Sequence, residues 1–179
     1  PGVIAVFLMQ LFNFLAKGAH IEDAGTIIRF FSMLFAVLYF AKKGRLNLII
    51  PAMAIIAFLA HPIGRTVWYF TLFWIIPIIA YYFRDRFLLA RALGSTFTAH
   101  AVGGALWIWA FSLPAPVWNA LIPVVATERI LFALGIAGSF LLVNNLLCFL
   151  EKKHVLNLGF HINQKYLISP FKTRTPERM

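Results

Sequence analysis

The chain has 179 residues, 61% of them hydrophobic and 12% charged, with a mean hydropathy of +0.84. A water-soluble domain of this length has too little interior for so much apolar surface, which favours a polytopic membrane protein over a soluble globule. The net charge of +10 would suggest nucleic acid in a soluble chain, but here the basic residues gather at the ends of apolar runs, where topology signals sit, and no nucleic-acid partner is expected.

The apolar runs are continuous rather than alternating, so they read as helices and not as strands of a spanning barrel. Run one is Pro1 to Ala16, short for a span, with Gln10 and Asn13 as its polar members. No basic lead and no small-residue cleavage site precede it, so it is not read as a signal peptide. Residues 17–26 form a polar loop. Run two is Ile27 to Ala41, with Arg29 near its beginning, and Lys42, Lys43 and Arg45 close it. Run three is Leu46 to Ala60, and a tight turn follows at His61 to Arg65. Run four is Val67 to Phe83, closed by Arg84-Asp85-Arg86.

Run five, Leu93 to Trp109, is the least plain. It carries Ser95, Thr96, Thr98 and His100 in its first half, two central glycines, and Trp107 and Trp109 near its end. The other helices are expected to pack around it. Ser95, Ala99 and Gly103 recur at every fourth position, a small face that lets helix backbones approach closely. Pro114 and Pro116 break the chain after Phe111. The next apolar stretch, Trp118 to Leu150, is too long for one span, since at 1.5 Å per residue it would reach roughly 50 Å against a hydrocarbon core of about 30 Å. It is therefore divided into a short interfacial or re-entrant piece, Trp118 to Ala126, and run six, Glu128 to Leu150.

Lys42, Lys43, Arg45, Arg84, Arg86, Arg91, Lys152 and Lys153 all follow even-numbered runs, whereas Lys17, Arg65 and Arg129 fall on the other side. The positive-inside rule places the larger group in the cytoplasm. The expectation is an all-α helical bundle of about six transmembrane helices with both termini cytoplasmic. Residues 1–154 form the transmembrane domain, and 155–179 form a cytoplasmic basic tail suited to contact with anionic lipid. The single cysteine, Cys148, can make no internal disulfide.

Catalysis has little support. There is no nucleophile motif, no H-E-x-x-H, no P-loop and no G-x-G-x-x-G, and His100 has no metal-ligating residue three or four positions on. No catalytic residue, metal or cofactor is expected. Ionisable groups inside a membrane are costly and mark candidate sites. His100, Thr98 and Ser95 could hydrogen-bond a solute. Arg29 or Arg129 could meet an anionic group, with Glu128 at a helix start beside Arg129. Trp107 or Trp118 could stack on a ring, although an aromatic belt at the outer interface also explains Trp68, Trp107, Trp109 and Trp118.

The polar start of run five and the stretch from Pro114 through Trp118 to Glu128-Arg129 resemble, together with the span count, the substrate-binding S components of energy-coupling-factor vitamin transporters. The resemblance implies a cell-membrane protein that captures a small vitamin-like or heteroaromatic solute from outside. It also implies a transmembrane coupling subunit and ATPases as partners. The competing expectation is a membrane scaffold or assembly protein without a solute, in which the polar groups join helices.

Overall fold

The computed structural model describes residues 2–16, 24–153 and 162–168, and among these it contains helices and no strands. Seven α-helices follow in order: α1 (Gly2–Ala16), α2 (Ala24–Ala41), α3 (Leu46–Ala60), α4 (Pro62–Thr66), α5 (Ile75–Phe83), α6 (Leu88–Phe111) and α7 (Ala115–Lys152). Two 3-10 segments, Trp68–Trp74 and Gln164–Tyr166, complete the described chain. α2 and α7 are long and apolar enough to cross a membrane, while α3 and the segment Trp68–Phe83 are shorter apolar helices. The chain divides into two compact units, Pro1–Leu134 and Gly135–Met179. The boundary drawn from sequence at residue 154 falls inside the second of these, and most of the tail lies outside the described residues.

In the first unit α6 is the helix on which α2, α3, α5 and the first 3-10 segment converge. Two of its glycines make this possible. A Cβ on Gly94 would come within 2.2 Å of the Tyr39 ring, and one on Gly104 within 2.6 Å of Trp74. Each glycine thus seats a large aromatic ring directly on the α6 backbone. Tyr39 passes over Gly94 and donates from its hydroxyl to the Pro77 carbonyl at 2.8 Å, tying α2 across α6 to α5. The Ser95 hydroxyl donates to the Ala36 carbonyl at 2.7 Å, so the close α2–α6 approach also carries a hydrogen bond. The partner for the small face of α6 is therefore α2, with Ser32 opposite Gly103, while Gly135 on α7 has nothing within 4 Å.

The core is aromatic. Phe58 packs edge-on against Trp74 and Trp118, and Phe70 edge-on against Trp118, with ring centroids 5.0 Å apart in each case. Trp118 is buried here and its indole donates to the Leu113 carbonyl, so it belongs to the core and not to an interfacial belt. Trp68 and Trp109 are exposed, and Trp109 donates to the Ala57 carbonyl near the end of α3. The turn from α3 into α4 needs a glycine, because a Cβ on Gly64 would lie 1.9 Å from the Phe58 carbonyl oxygen.

The ends of α2 and α5 and the starts of α3 and α6 meet in a basic cluster. The last carbonyls of a helix lack intrahelical partners, and here side chains supply them. Arg84 donates to the Phe40 and Lys42 carbonyls, Arg91 to Phe40, and Asn47 to Lys42. These cations also complement the negative end of the α2 dipole. Burial lowers the Arg84 pKa, opposed by neighbouring Tyr39 and Asp85. Lys43 and Asp85 form an ion pair, and the hydrogen bond from Lys43 holds the Asp85 carboxyl below its usual range.

α7 departs from the reading of the sequence. It is one 38-residue helix with Pro123 inside it, and no break separates a re-entrant piece from a sixth run. Pro116 sits in its first turn, where a missing N–H costs nothing. In apolar surroundings a helix-interior proline is tolerated when nearby groups re-satisfy the backbone, and the Thr127 hydroxyl donates to the Pro123 carbonyl at 3.0 Å. In the second unit, Asn144 both donates to the Asn163 carbonyl and accepts from its N–H. Asn145 does the same with Tyr166 and Ile168, pinning residues 163–168 against the end of α7.

Two outcomes follow for stability. Gly94→Ala forces Tyr39 off its seat and should cost about 1–3 kcal/mol, the usual range for overpacking, measured by reversible unfolding in detergent. Gly138→Ala, with nothing within 4 Å, should be neutral or stabilising. The Asp85 pKa is depressed in the folded state, so its contribution is complete above the unfolded value of about 4 and is lost as pH falls through the folded value. Melting curves of the native protein and Asp85→Asn should therefore converge below about pH 4 and differ at pH 7.

Candidate functional site

His100 stands at the midpoint of α6, because that helix begins at Leu88 and ends at Phe111. Its Nδ1 accepts a 2.9 Å hydrogen bond from the Trp74 indole. Trp74 reaches it because Gly104, one turn further along α6, leaves room for the indole. The aromatic run Trp68–Trp74 is a 3-10 helix, in which residues three apart eclipse. That spacing places Phe70 and Phe73 on neighbouring levels, and their ring centroids lie 5.5 and 6.3 Å from His100. An imidazole whose Nδ1 accepts carries its proton on Nε2 when neutral. Nε2 has no hydrogen-bond partner among the described residues, and the ring is half-buried.

Four residues before His100, and so on the same face of α6, is Thr96. Arg129 of α7 reaches its hydroxyl, with Nη1 3.5 Å from Oγ1, a long and weak contact. Nη2 pairs with the Glu128 carboxylate at 3.3 Å. The guanidinium lies over the Phe132 ring, 4.8 Å from its centroid, and within electrostatic reach of His100. Its Nε is buried and unpartnered. Glu128 is half exposed, whereas the Arg129 side chain is only 18% exposed.

This placement corrects an expectation. Glu128 and Arg129 do not begin a helix near the outer boundary. Because α7 starts at Ala115, Arg129 lies 14 residues along it, roughly 21 Å at 1.5 Å per residue. There it comes level with Thr96 of α6. The ion pair therefore lies part-way along α7, with the arginine largely covered and the carboxylate at the surface.

The other candidates are elsewhere. Ser95 is buried and committed to Ala36, and Thr98 is buried with its hydroxyl donating to the Gly94 carbonyl at 2.7 Å. Trp107 is half-buried and packs on Phe111, centroids 4.3 Å apart. Trp118 lies in the aromatic core. Arg29 is exposed on α2 and has no hydrogen bond or ion pair among the described residues. The structure thus brings together His100, Arg129 and Glu128 from the sequence-based set, and adds Thr96, Phe70, Phe73 and Trp74. Thr96 and Trp74 stand out in the sequence as polar or aromatic members of apolar runs, but no local spacing shows that they meet His100 or Arg129. The groove between α1 and α2, lined by Ile4, Phe7, Leu34 and Leu38, is wholly apolar and offers no polar recognition. Among the described residues, no group of three or more histidines, cysteines and carboxylates could hold a metal ion.

Trp74→Phe keeps the ring and removes the donor. It should cost about 1 kcal/mol and shift the His100 Nδ1 resonance in nitrogen NMR toward that of an unbonded imidazole nitrogen. An unmoved resonance would show that the indole does not hold this ring. No family model, no curated protein and no solved structure matches the chain.

Proposed function

We propose that the chain is a solute-binding integral membrane protein, a transport subunit of the kind that the S components of energy-coupling-factor transporters exemplify. The observation that carries this reading is the under-satisfied polar cluster of His100, Thr96 and Arg129, which the half-exposed Glu128 joins from α7. Intramembrane ionisable groups are expensive and are kept where they meet a substrate, an ion or each other. Ser95 and Asn47 show how polar groups in this chain are handled when their role is packing, since each is buried with its hydrogen bonds made. Arg129 and His100 are not treated that way.

Six membrane crossings with both termini in the cytoplasm fit the fold. The meeting of Lys42, Lys43, Arg84 and Arg91 at one end of α2, α3, α5 and α6 is what the positive-inside rule requires of alternating spans. Exposed Leu, Ile, Phe and Met side chains along α2, α3 and α7 suit a lipid-facing surface. Solute would enter from the end that carries Trp109, Leu113 and Trp118, opposite the basic cluster. Release would be driven by partner subunits that hydrolyse ATP, with a transmembrane coupling subunit between. The site uses Arg129, Glu128, His100 and Thr96 for polar recognition and the half-buried Phe73 as a ring surface. Arg29 and Trp107 are assigned to the outer rim.

A second reading has its own support. Ser95, Thr98 and Trp118 are all engaged in packing, as a scaffold or assembly protein without a solute would have them. A thermal-shift screen of the purified protein against small heteroaromatic and vitamin-like compounds separates the two. A ligand present at a hundred times its dissociation constant stabilises by about 2.7 kcal/mol, a readily seen rise in melting temperature. The transport reading expects such a rise, lost in His100→Ala. Silence across the screen favours the scaffold.

A further inference from the structure

The donors at the site outnumber the acceptors. Arg129 offers five N–H groups, yet its Nε is buried without a partner and its two terminal nitrogens make only long contacts, 3.5 Å to Thr96 and 3.3 Å to Glu128. His100 receives the Trp74 proton on Nδ1, which leaves its own proton on Nε2 without an acceptor among the described residues. Both groups address the same face of α6, since Thr96 and His100 lie one turn apart and Arg129 reaches Thr96. An arginine fork beside a neutral imidazole N–H matches a planar acceptor with two oxygens.

The one anion present is poorly placed to satisfy them. Glu128 precedes Arg129 on the same helix, meets it through a single long contact, and has half of its side chain exposed. It can turn outward without unfolding α7. A doubly charged phosphate would leave excess negative charge in apolar surroundings, which is costly, whereas one carboxylate replacing another on Arg129 leaves the charge of the inner pair unchanged.

We infer that the site takes a monoanionic carboxylate on a small planar ring, which displaces the Glu128 carboxylate from Arg129, accepts from His100 Nε2, and lays its ring toward the half-buried Phe73. This inference rests on the solute-binding reading. In it Glu128 is a built-in competitor that keeps Arg129 paired when no solute is bound. Removing the competitor therefore strengthens binding, the reverse of what removing a solute contact does.

The test is calorimetric titration of the purified full chain with benzoate and benzamide, which share a shape and differ in charge. Benzoate should bind at least roughly tenfold more tightly than benzamide, a difference of about 1.4 kcal/mol. Glu128→Gln should tighten benzoate binding several-fold. Arg129→Gln should abolish it, and Arg129→Lys, which keeps the charge but loses the fork, should weaken it roughly tenfold or more. The lysine variant keeps the test decisive if the glutamine variant does not fold. Equal binding of benzamide and benzoate, or weaker benzoate binding in Glu128→Gln, overturns the carboxylate assignment. So does absence of benzoate binding when the thermal-shift screen yields a neutral ligand, and in each of these cases the solute site itself stands. No binding of either probe together with a silent screen removes the site.

Discussion

The first unit depends on one constraint. A polar side chain inside an apolar bundle finds its partner within the protein or goes without. Trp74 lying across Gly104 is the point where that constraint shapes the fold. The glycine admits the indole, the indole fixes the His100 ring through Nδ1, and the 3-10 turn that carries Trp74 brings Phe70 and Phe73 to the same histidine. Gly94 and Tyr39 repeat the device lower on α6, where the phenol crosses to Pro77. A helix with these two seats can be surrounded closely by α2, α3 and α5, and it can keep Ser95 and Thr98 inside because each finds a carbonyl.

Against that background the exceptions have meaning. Arg84 also lies buried, and its Nε too is unpartnered, but it sits where α2 ends and gives both terminal nitrogens to the carbonyls there. Arg129 has no such carbonyls. It faces a threonine at the limit of hydrogen bonding and a neighbouring glutamate that is half exposed. Natural interiors keep few polar groups in that state, and each one calls for an explanation in function. A cluster of donors awaiting an acceptor is such an explanation, and under the proposed solute-binding function Glu128 is the resting partner of Arg129.

Much of the fold was legible because continuous apolar runs with basic ends carry their own punctuation. Leu46 to Ala60 is α3 to the residue, and the break at Pro114 is where α6 gives way to α7. What misled was length. Taken as too long for one span, the last apolar stretch is divided before Glu128, which puts Glu128 and Arg129 at a boundary. The helix instead continues through Pro123 with Thr127 on the proline carbonyl, and the same two residues lie part-way along it. The site was only partly legible for a related reason. His100 and Arg129 stand out as charges or near-charges within apolar runs. The partners that define them, Trp74 at 26 residues' distance and Thr96 at 33, are set by packing and leave no periodic trace.

The central claim is that the Glu128–Arg129 pair borders a water-filled site and not lipid or sealed protein. Thiols react with maleimides in water and hardly at all in hydrocarbon. With Cys148 replaced by serine to leave one thiol, Glu128→Cys should be modified by a membrane-impermeant maleimide added to intact membranes from the non-cytoplasmic side, and a bound carboxylate solute should slow that reaction. A cysteine at 128 that stays unmodified from either side of the membrane, yet reacts once the chain is denatured, would contradict the account.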